Sequence, residues 1–136
     1  MKILFIVPPN ITYDAYTKPA SNVKTVTQNN KFLGAVVTDM PLGPLSLSSY
    51  VKNKHSQSEF FMMDFNVILN RINNFNFKSF YEFFDEVISR DEWKTHYYDI
   101  IGISALFGPA YKSMLDLAQI SKTLYPKAFV LGGGGF

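Results

Sequence analysis

Apolar residues along this chain gather into four short continuous runs, separated by stretches that repeat with a helical period. Ile3 to Val7 is the first run, Glu59 to Phe65 the second, Tyr98 to Ser104 the third and Ala128 to Leu131 the fourth. Runs of this length without polar alternation are what strands covered on both faces of a parallel sheet require. Three helical stretches lie between them. Leu42 to Lys54 places Leu47, Tyr50 and Val51 on one face. Phe77 to Ser89 has the strongest repeat, with Phe77, Phe80, Tyr81, Phe84, Val87 and Ile88 recurring at helical spacing. Tyr111 to Tyr125 carries Met114, Leu117, Ala118, Ser121 and Leu124 as a stripe. Punctuation falls where the pattern changes. Pro8 and Pro9 end the first strand, and Pro41 sits in the first turn of a helix capped near Asp39 or Met40. Asn73 to Asn76 breaks the chain ahead of the aromatic helix, and Pro126 stops the last one.

Strands alternating with helices predict an α/β fold, a Rossmann-like or flavodoxin-like open parallel sheet with flanking helices and right-handed crossovers. Ligands on such sheets bind beyond the carboxyl ends of the strands, where the strand order reverses. Those ends are Pro8-Pro9-Asn10, Asp64 to Asn66, Ser104-Ala105-Leu106 and the glycine run Gly132 to Gly135. Residues 10–40 are polar and show no sustained period, so they predict a long loop of functional or partner-bound character. Within it, Phe32 to Val37 has the composition of a short strand or hairpin arm. The aromatic stripe from Phe77 to Phe84 predicts core packing, not a cofactor contact.

At 136 residues, 47% apolar and 18% charged, the chain has the size and composition of one globular domain. A net charge of +2 with no block of consecutive basic residues gives no footprint for nucleic acid or an anionic membrane. The absence of cysteine excludes disulfides, thiol catalysis and Cys-held zinc or iron–sulfur clusters within this chain, and agrees with a reducing compartment. The basic-then-apolar start is too short for a signal sequence and ends in two prolines, and no run is long enough to span a bilayer. The expected location is the cytoplasm.

Candidate chemistry is sparse. Ser104 sits at a strand-to-helix turn, as a hydrolase nucleophile would, but an elbow needs glycine two residues to each side and Leu106 occupies the second position. His55 and His96 are the only histidines, and His96 precedes the third strand, at the opposite edge. The glycine run reads either as a loop needing positive φ or as a place where a ligand approaches the backbone. No Gly-Lys-Ser/Thr triplet exists, which excludes a P-loop. Asp14, Asp39 and Asp64 read as solvated or capping carboxylates in preference to a metal cluster. No catalytic and no metal-ligating residue is assigned.

Together these residues resemble the cobalamin-binding domain at the N-terminus of many radical S-adenosylmethionine enzymes. The likeness is carried by Ile3-Leu4-Phe5-Ile6-Val7-Pro8-Pro9, Pro41-Leu42-Gly43-Pro44-Leu45-Ser46-Leu47-Ser48-Ser49-Tyr50, Asp64, Tyr98-Asp99-Ile100-Ile101-Gly102-Ile103-Ser104 and the glycine run, so it spans nearly the whole chain. Of the wider family's three signatures, Ser104-Ala105-Leu106 matches Ser-x-Leu and Gly132-Gly133 matches Gly-Gly. Asp-x-His-x-x-Gly is absent, and no histidine lies between Met1 and Lys54.

The resemblance implies cobalamin held with its benzimidazole tail detached and without a protein histidine on cobalt. A detached tail needs a slot between sheet and helix, for which Gly43, Ser46, Ser49 and Gly132, Gly133, Gly134 and Gly135 are small enough. The Ser104 hydroxyl is expected on a tail nitrogen or phosphate, with Ala105 beside it in the Ser-x-Leu turn. Leu106, Phe107 and Tyr111 are expected under the corrin, and Pro8, Pro9 and Asn10 at the rim of the first strand. Where the radical family often has Pro-His after Gly-Gly, this chain has Gly134-Gly135.

The resemblance also implies a partner. A radical S-adenosylmethionine barrel, with S-adenosylmethionine and a [4Fe-4S] cluster of its own, is expected beyond residue 136 in a parent protein or on another chain. The parent's expected activity is methyl transfer, this chain itself being noncatalytic. A complete domain of this kind has a fifth strand and a closing helix, so the expectation is a leading fragment or a shortened form whose fourth strand needs covering. The alternative is a flavodoxin-like domain that binds another nucleotide-type ligand or a partner protein.

Overall fold

The computed structural model describes residues 1–134. Four strands form one parallel sheet: β1 (Lys2–Val7), β4 (Glu59–Asp64), β5 (Ile100–Ala105) and β6 (Phe129–Gly134), in the order β4-β1-β5-β6. The expected open parallel α/β sheet is therefore present. From β1 the chain steps outward to β4, then crosses back over β1 to β5 and on to β6. The strand order thus reverses between β1 and β5, which makes their carboxyl ends the switch point of the sheet.

That path also decides which face each helix covers. Right-handed crossovers in opposite directions place their helices on opposite faces. The step from β1 to β4 puts α2 (Leu42–Lys54) on one face by itself. The later steps put α3 (Phe65–Arg71), α4 (Phe80–Ile88) and α6 (Tyr111–Leu124) on the other.

The three-helix face holds the core. Leu4, Ile6, Met63, Ile101 and Ile103 point from the sheet into Phe65, Phe83, Phe84, Val87, Ile88, Leu117 and Ile120, all of them buried. On α4 the buried positions are Phe80, Phe83, Phe84, Val87 and Ile88. Tyr81, expected in the stripe, is exposed, and Phe83 takes the central place. Its ring meets those of Phe65, Phe75, Phe77, Phe80 and Phe84 at centroid separations of 5.2–6.4 Å. α4 starts at Ser79, whose hydroxyl accepts from the Glu82 amide, so Phe77 lies before the helix while still packing on the cluster.

The structure differs from the expected loop over 10–40. It contains α1 (Tyr13–Thr17) and an antiparallel hairpin, β2 (Thr25–Gln28) and β3 (Lys31–Gly34). The hairpin turn is Asn29-Asn30, both at positive φ (48° and 62°), the pair of conformations that a two-residue turn between twisted strands favours and that Asn tolerates. This excursion packs on the aromatic cluster. Tyr16 is buried against Phe75 and Phe80, the Tyr13 hydroxyl donates to the Phe77 carbonyl, and the Gln28 side chain bonds Ile72 and Phe75 backbone atoms. No helical or strand period marks these residues because their order comes from long-range contact.

Other boundaries shift. Phe65 belongs to α3, not to the second strand, because the Asp64 carboxylate accepts from the Asn66 amide and caps a helix there. α5 (Asp91–Lys94) is a single turn without a sequence signal. Gly132 to Gly134 continue β6 in register with Ile103, Ser104 and Ala105, so most of the glycine run is strand and not loop. Gly135 and Phe136 lie outside the described residues.

Phe83→Ala is expected to destabilise the fold by about 3–5 kcal/mol, against less than about 0.5 kcal/mol for Ser→Ala at exposed Ser46, both measured by urea unfolding. Burial raises the Tyr16 phenol from 10.0 to about 12, and burial followed by the neighbouring Tyr125 does the same to Tyr98. The unfolded chain ionises first, so the stability these two groups confer is full below pH 10 and is lost as pH rises toward 12. The urea midpoint should fall across that window, and more steeply than in a Tyr16→Phe, Tyr98→Phe variant.

Candidate functional site

The face that carries α2 alone is where the sequence-predicted residues converge. A groove of about 470 Å³ runs between α2 and the sheet. Gly43, Pro44, Leu47 and Val51 line it from the helix, one face of α2. From the sheet it is lined by Ile3 and Phe5 of β1, Ile100, Gly102 and Ser104 of β5, and Leu131 and Gly133 of β6. Such a volume is within the range of roughly 300–1,000 Å³ typical of small-molecule sites.

Glycines keep it open. A Cβ added to Gly43 or Gly133 would meet no atom within 4 Å, so each marks empty space at the wall. At Gly102 a Cβ would come 3.1 Å from the ring of Phe5, its partner on the neighbouring strand, so the ring sits close over a position that has no side chain. α2 itself is lightly seated: Pro44 is buried, whereas Leu47 is 56% and Leu131 opposite is 49% exposed.

At its upper end the groove meets the switch point through Gly43, Pro44, Ser104 and Leu106, which also line a small cavity of about 50 Å³ with Asn10, Asp39, Met40 and Asn66. α2 begins at this mouth and has no side-chain cap. Among the described residues the Ser104 hydroxyl has no side-chain hydrogen bond, and it faces both spaces. Leu106, Phe107 and Tyr111 follow it as a half-exposed apolar shelf.

Asn66, which the sequence places at the end of the second strand without a role, holds the mouth together. It is 1% exposed; its Oδ1 accepts from the Asn10 amide at 2.7 Å and its Nδ2 donates to the Pro8 carbonyl at 3.1 Å. One turn along α3, Asn70 donates to the Val36 carbonyl and the Thr38 hydroxyl. The two asparagines therefore pin the departure and the return of the 10–40 excursion to one helix face. The only available signal is their i, i+4 spacing after Asp64.

The predicted residues do not all meet. Pro8 and Pro9 are buried behind the rim, and Asn10 stands on it. Ser46 and Ser49 are exposed and do not line the groove, since α2 turns its Gly43, Pro44, Leu47 and Val51 face inward. Ala105 is buried toward the opposite face. Gly132 also faces that way, where a Cβ would lie 3.1 Å from Met114 Sδ of α6; it borders the groove by backbone only. Gly134 has φ +149°, and a Cβ there would strike the Ala105 carbonyl oxygen, so this position admits glycine alone. Alternation along β6 makes Gly133 the glycine that matters for the groove.

Among the described residues that line the groove and its mouth there is no Lys, Arg or His, and Asp39 at the rim is the only ionisable side chain. Asp14, Asp39 and Asp64 do not gather: among the described residues no three His, Cys, Asp or Glu side chains are placed to hold a metal ion. His96 packs against Phe61 and Tyr98 at the amino edge of the sheet, remote in register from Ser104, so the residues of a serine hydrolase are not assembled. No helix among the described residues is long and apolar enough to cross a membrane.

Comparison with models of protein families, with curated proteins and with solved structures returned no match.

Asn66→Leu is expected to leave the Asn10 amide and Pro8 carbonyl unsatisfied and to cost about 1–3 kcal/mol. Hydrogen exchange should show the Asn10 amide losing protection in this variant while the Ile101 and Ile103 amides stay protected.

Proposed function

We propose that this chain is a cobalamin-binding module, with the nucleotide tail of the cofactor lying between α2 and the sheet and no histidine on cobalt. One observation carries the reading: a glycine-walled groove opens, through an unengaged serine hydroxyl, onto the switch point of the sheet. The residues present suit that group. Gly43 and Gly133 leave the width a bicyclic base and its sugar need, and Ser104 stands at the mouth to donate to a tail oxygen or nitrogen. Beyond the mouth, Leu106, Phe107 and Tyr111 offer an apolar seat for a broad macrocycle, and the residue leaving β1 at the rim is Asn10.

When bound, cobalamin supplies a cobalt centre able to carry a methyl group. The chain's own residues bind and orient it, and exclude water from the buried tail. Its partner in this reading is a radical S-adenosylmethionine barrel, on the same longer polypeptide or on another chain, and the parent's reaction is methyl transfer. The barrel supplies S-adenosylmethionine and the [4Fe-4S] cluster.

The test is reconstitution with hydroxocobalamin followed by gel filtration and an absorption spectrum. Retained colour without the spectral mark of histidine coordination supports the reading. A folded chain that stays colourless overturns it and favours a different ligand or a protein partner on the same face. Gly133→Val should weaken retention at least about tenfold at unchanged circular dichroism, since strand backbone accepts Val and only the groove loses space. Gly132→Ala, which meets the flexible Met114 side chain instead, should retain cobalamin as the parent chain does.

A further inference from the structure

The far half of the groove has a chemical character that the cobalamin reading alone does not require. α2 runs down the sheet from the mouth, so Leu47 and Val51 lie progressively deeper, opposite Phe5, Leu131, Ile3 and Ile100. Every one of these side chains is hydrocarbon, and among the described residues the single polar side chain of the groove, Ser104, is at the mouth. Along β1, β5 and α2 the backbone offers nothing in its place, and among the described strands that line the groove only the outer edge of β6 is unbonded. β1 and β5 are central strands, bonded on both edges, and the peptide groups along α2 bond within the helix. A polar atom packed against these side chains gives up part of its water and gains no side-chain partner.

Resting on the cobalamin reading, we propose that this groove selects corrinoids by their lower base, accepting an apolar benzimidazole and rejecting a purine. The dimethylbenzimidazole base presents a hydrocarbon edge bearing two methyl groups and one free ring nitrogen. An adenine base adds an amino group and further ring nitrogens, each of which loses hydrogen bonds to water beside side chains that return none. The corrin ring and its side chains are common to both, and in excess cyanide the base is off cobalt in both, so the difference in affinity measured there reports the groove.

Equilibrium dialysis of the full chain, in excess cyanide, against hydroxocobalamin, its adeninyl analogue and cobinamide, which lacks the nucleotide, separates the outcomes. The expected order is cobalamin tighter than the adeninyl form by about tenfold or more, with cobinamide no better than the adeninyl form. Equal binding of cobalamin and the adeninyl form, both tighter than cobinamide, overturns the selectivity and leaves the cobalamin reading standing. Equal binding of all three shows that the tail does not occupy the groove and overturns the selectivity as well. Failure to bind any corrinoid removes the cobalamin reading itself. Leu47→Gln places an amide on the half-exposed wall, where folding tolerates it, and should narrow the cobalamin-to-adeninyl ratio several-fold with cobinamide affinity unmoved. An unchanged ratio in that variant overturns the assignment of selectivity to the hydrocarbon wall.

Discussion

A parallel sheet has two apolar faces to cover, and the aromatic cluster around Phe83 draws most of this chain's covering elements to one of them. α3, α4 and α6, together with α1 and the Asn29-Asn30 hairpin, all gain burial against the same set of rings. Edge-to-face aromatic pairs add about 0.5–1.5 kcal/mol each beyond their burial, so an element that reaches this cluster is held there firmly. The other face keeps only α2. The groove is the consequence of that asymmetry, since one lightly seated helix over a strip of glycine and apolar side chains leaves space that a symmetric cover would close.

Topology then fixes where the space opens. Because the strand order reverses between β1 and β5, no crossover lies above their carboxyl ends, and the groove emerges there beside Ser104 and Gly43. The mouth is kept in shape from the other side of the sheet. Asn66 and Asn70 tie both ends of the 10–40 excursion to α3, so the firmly packed half of the molecule positions the rim of the loosely packed half. Burying the Asn66 amide is tolerable only because its side-chain bonds are made. Among the described residues the resulting groove is walled by apolar side chains, with the Ser104 hydroxyl at its entrance.

Much of this was visible in the residues alone. The four apolar runs and the proline and asparagine punctuation located all four parallel strands and the three long helices within a few positions. Of the small residues named for the slot, Gly43, Ser104 and Gly133 line the groove. What the residues left open was orientation. Ser46 and Ser49 are as small as Gly43 but lie on the outer side of α2, and Gly132 differs from Gly133 only by the alternation of the strand. The excursion over 10–40 carries no period because α1 and the hairpin are ordered by Tyr13, Tyr16 and Gln28 reaching residues 44 to 64 positions away, within the region from Ile72 to Phe80. Asn66 stood at a strand end, with its i, i+4 spacing to Asn70 as the one signal, since a buried polar side chain looks like any surface asparagine until its partners are known.

The sequence by itself determined the class of the fold and the strand ends at which a ligand can bind, because hydrophobic period and backbone-breaking residues act locally along the chain. Only the tertiary structure decided that the glycine run is strand, that Gly133 and not Gly132 faces the groove, and that Leu47 and Val51 wall it. Those facts depend on register and on which face a helix turns inward, and both are set by contacts between residues far apart in the chain.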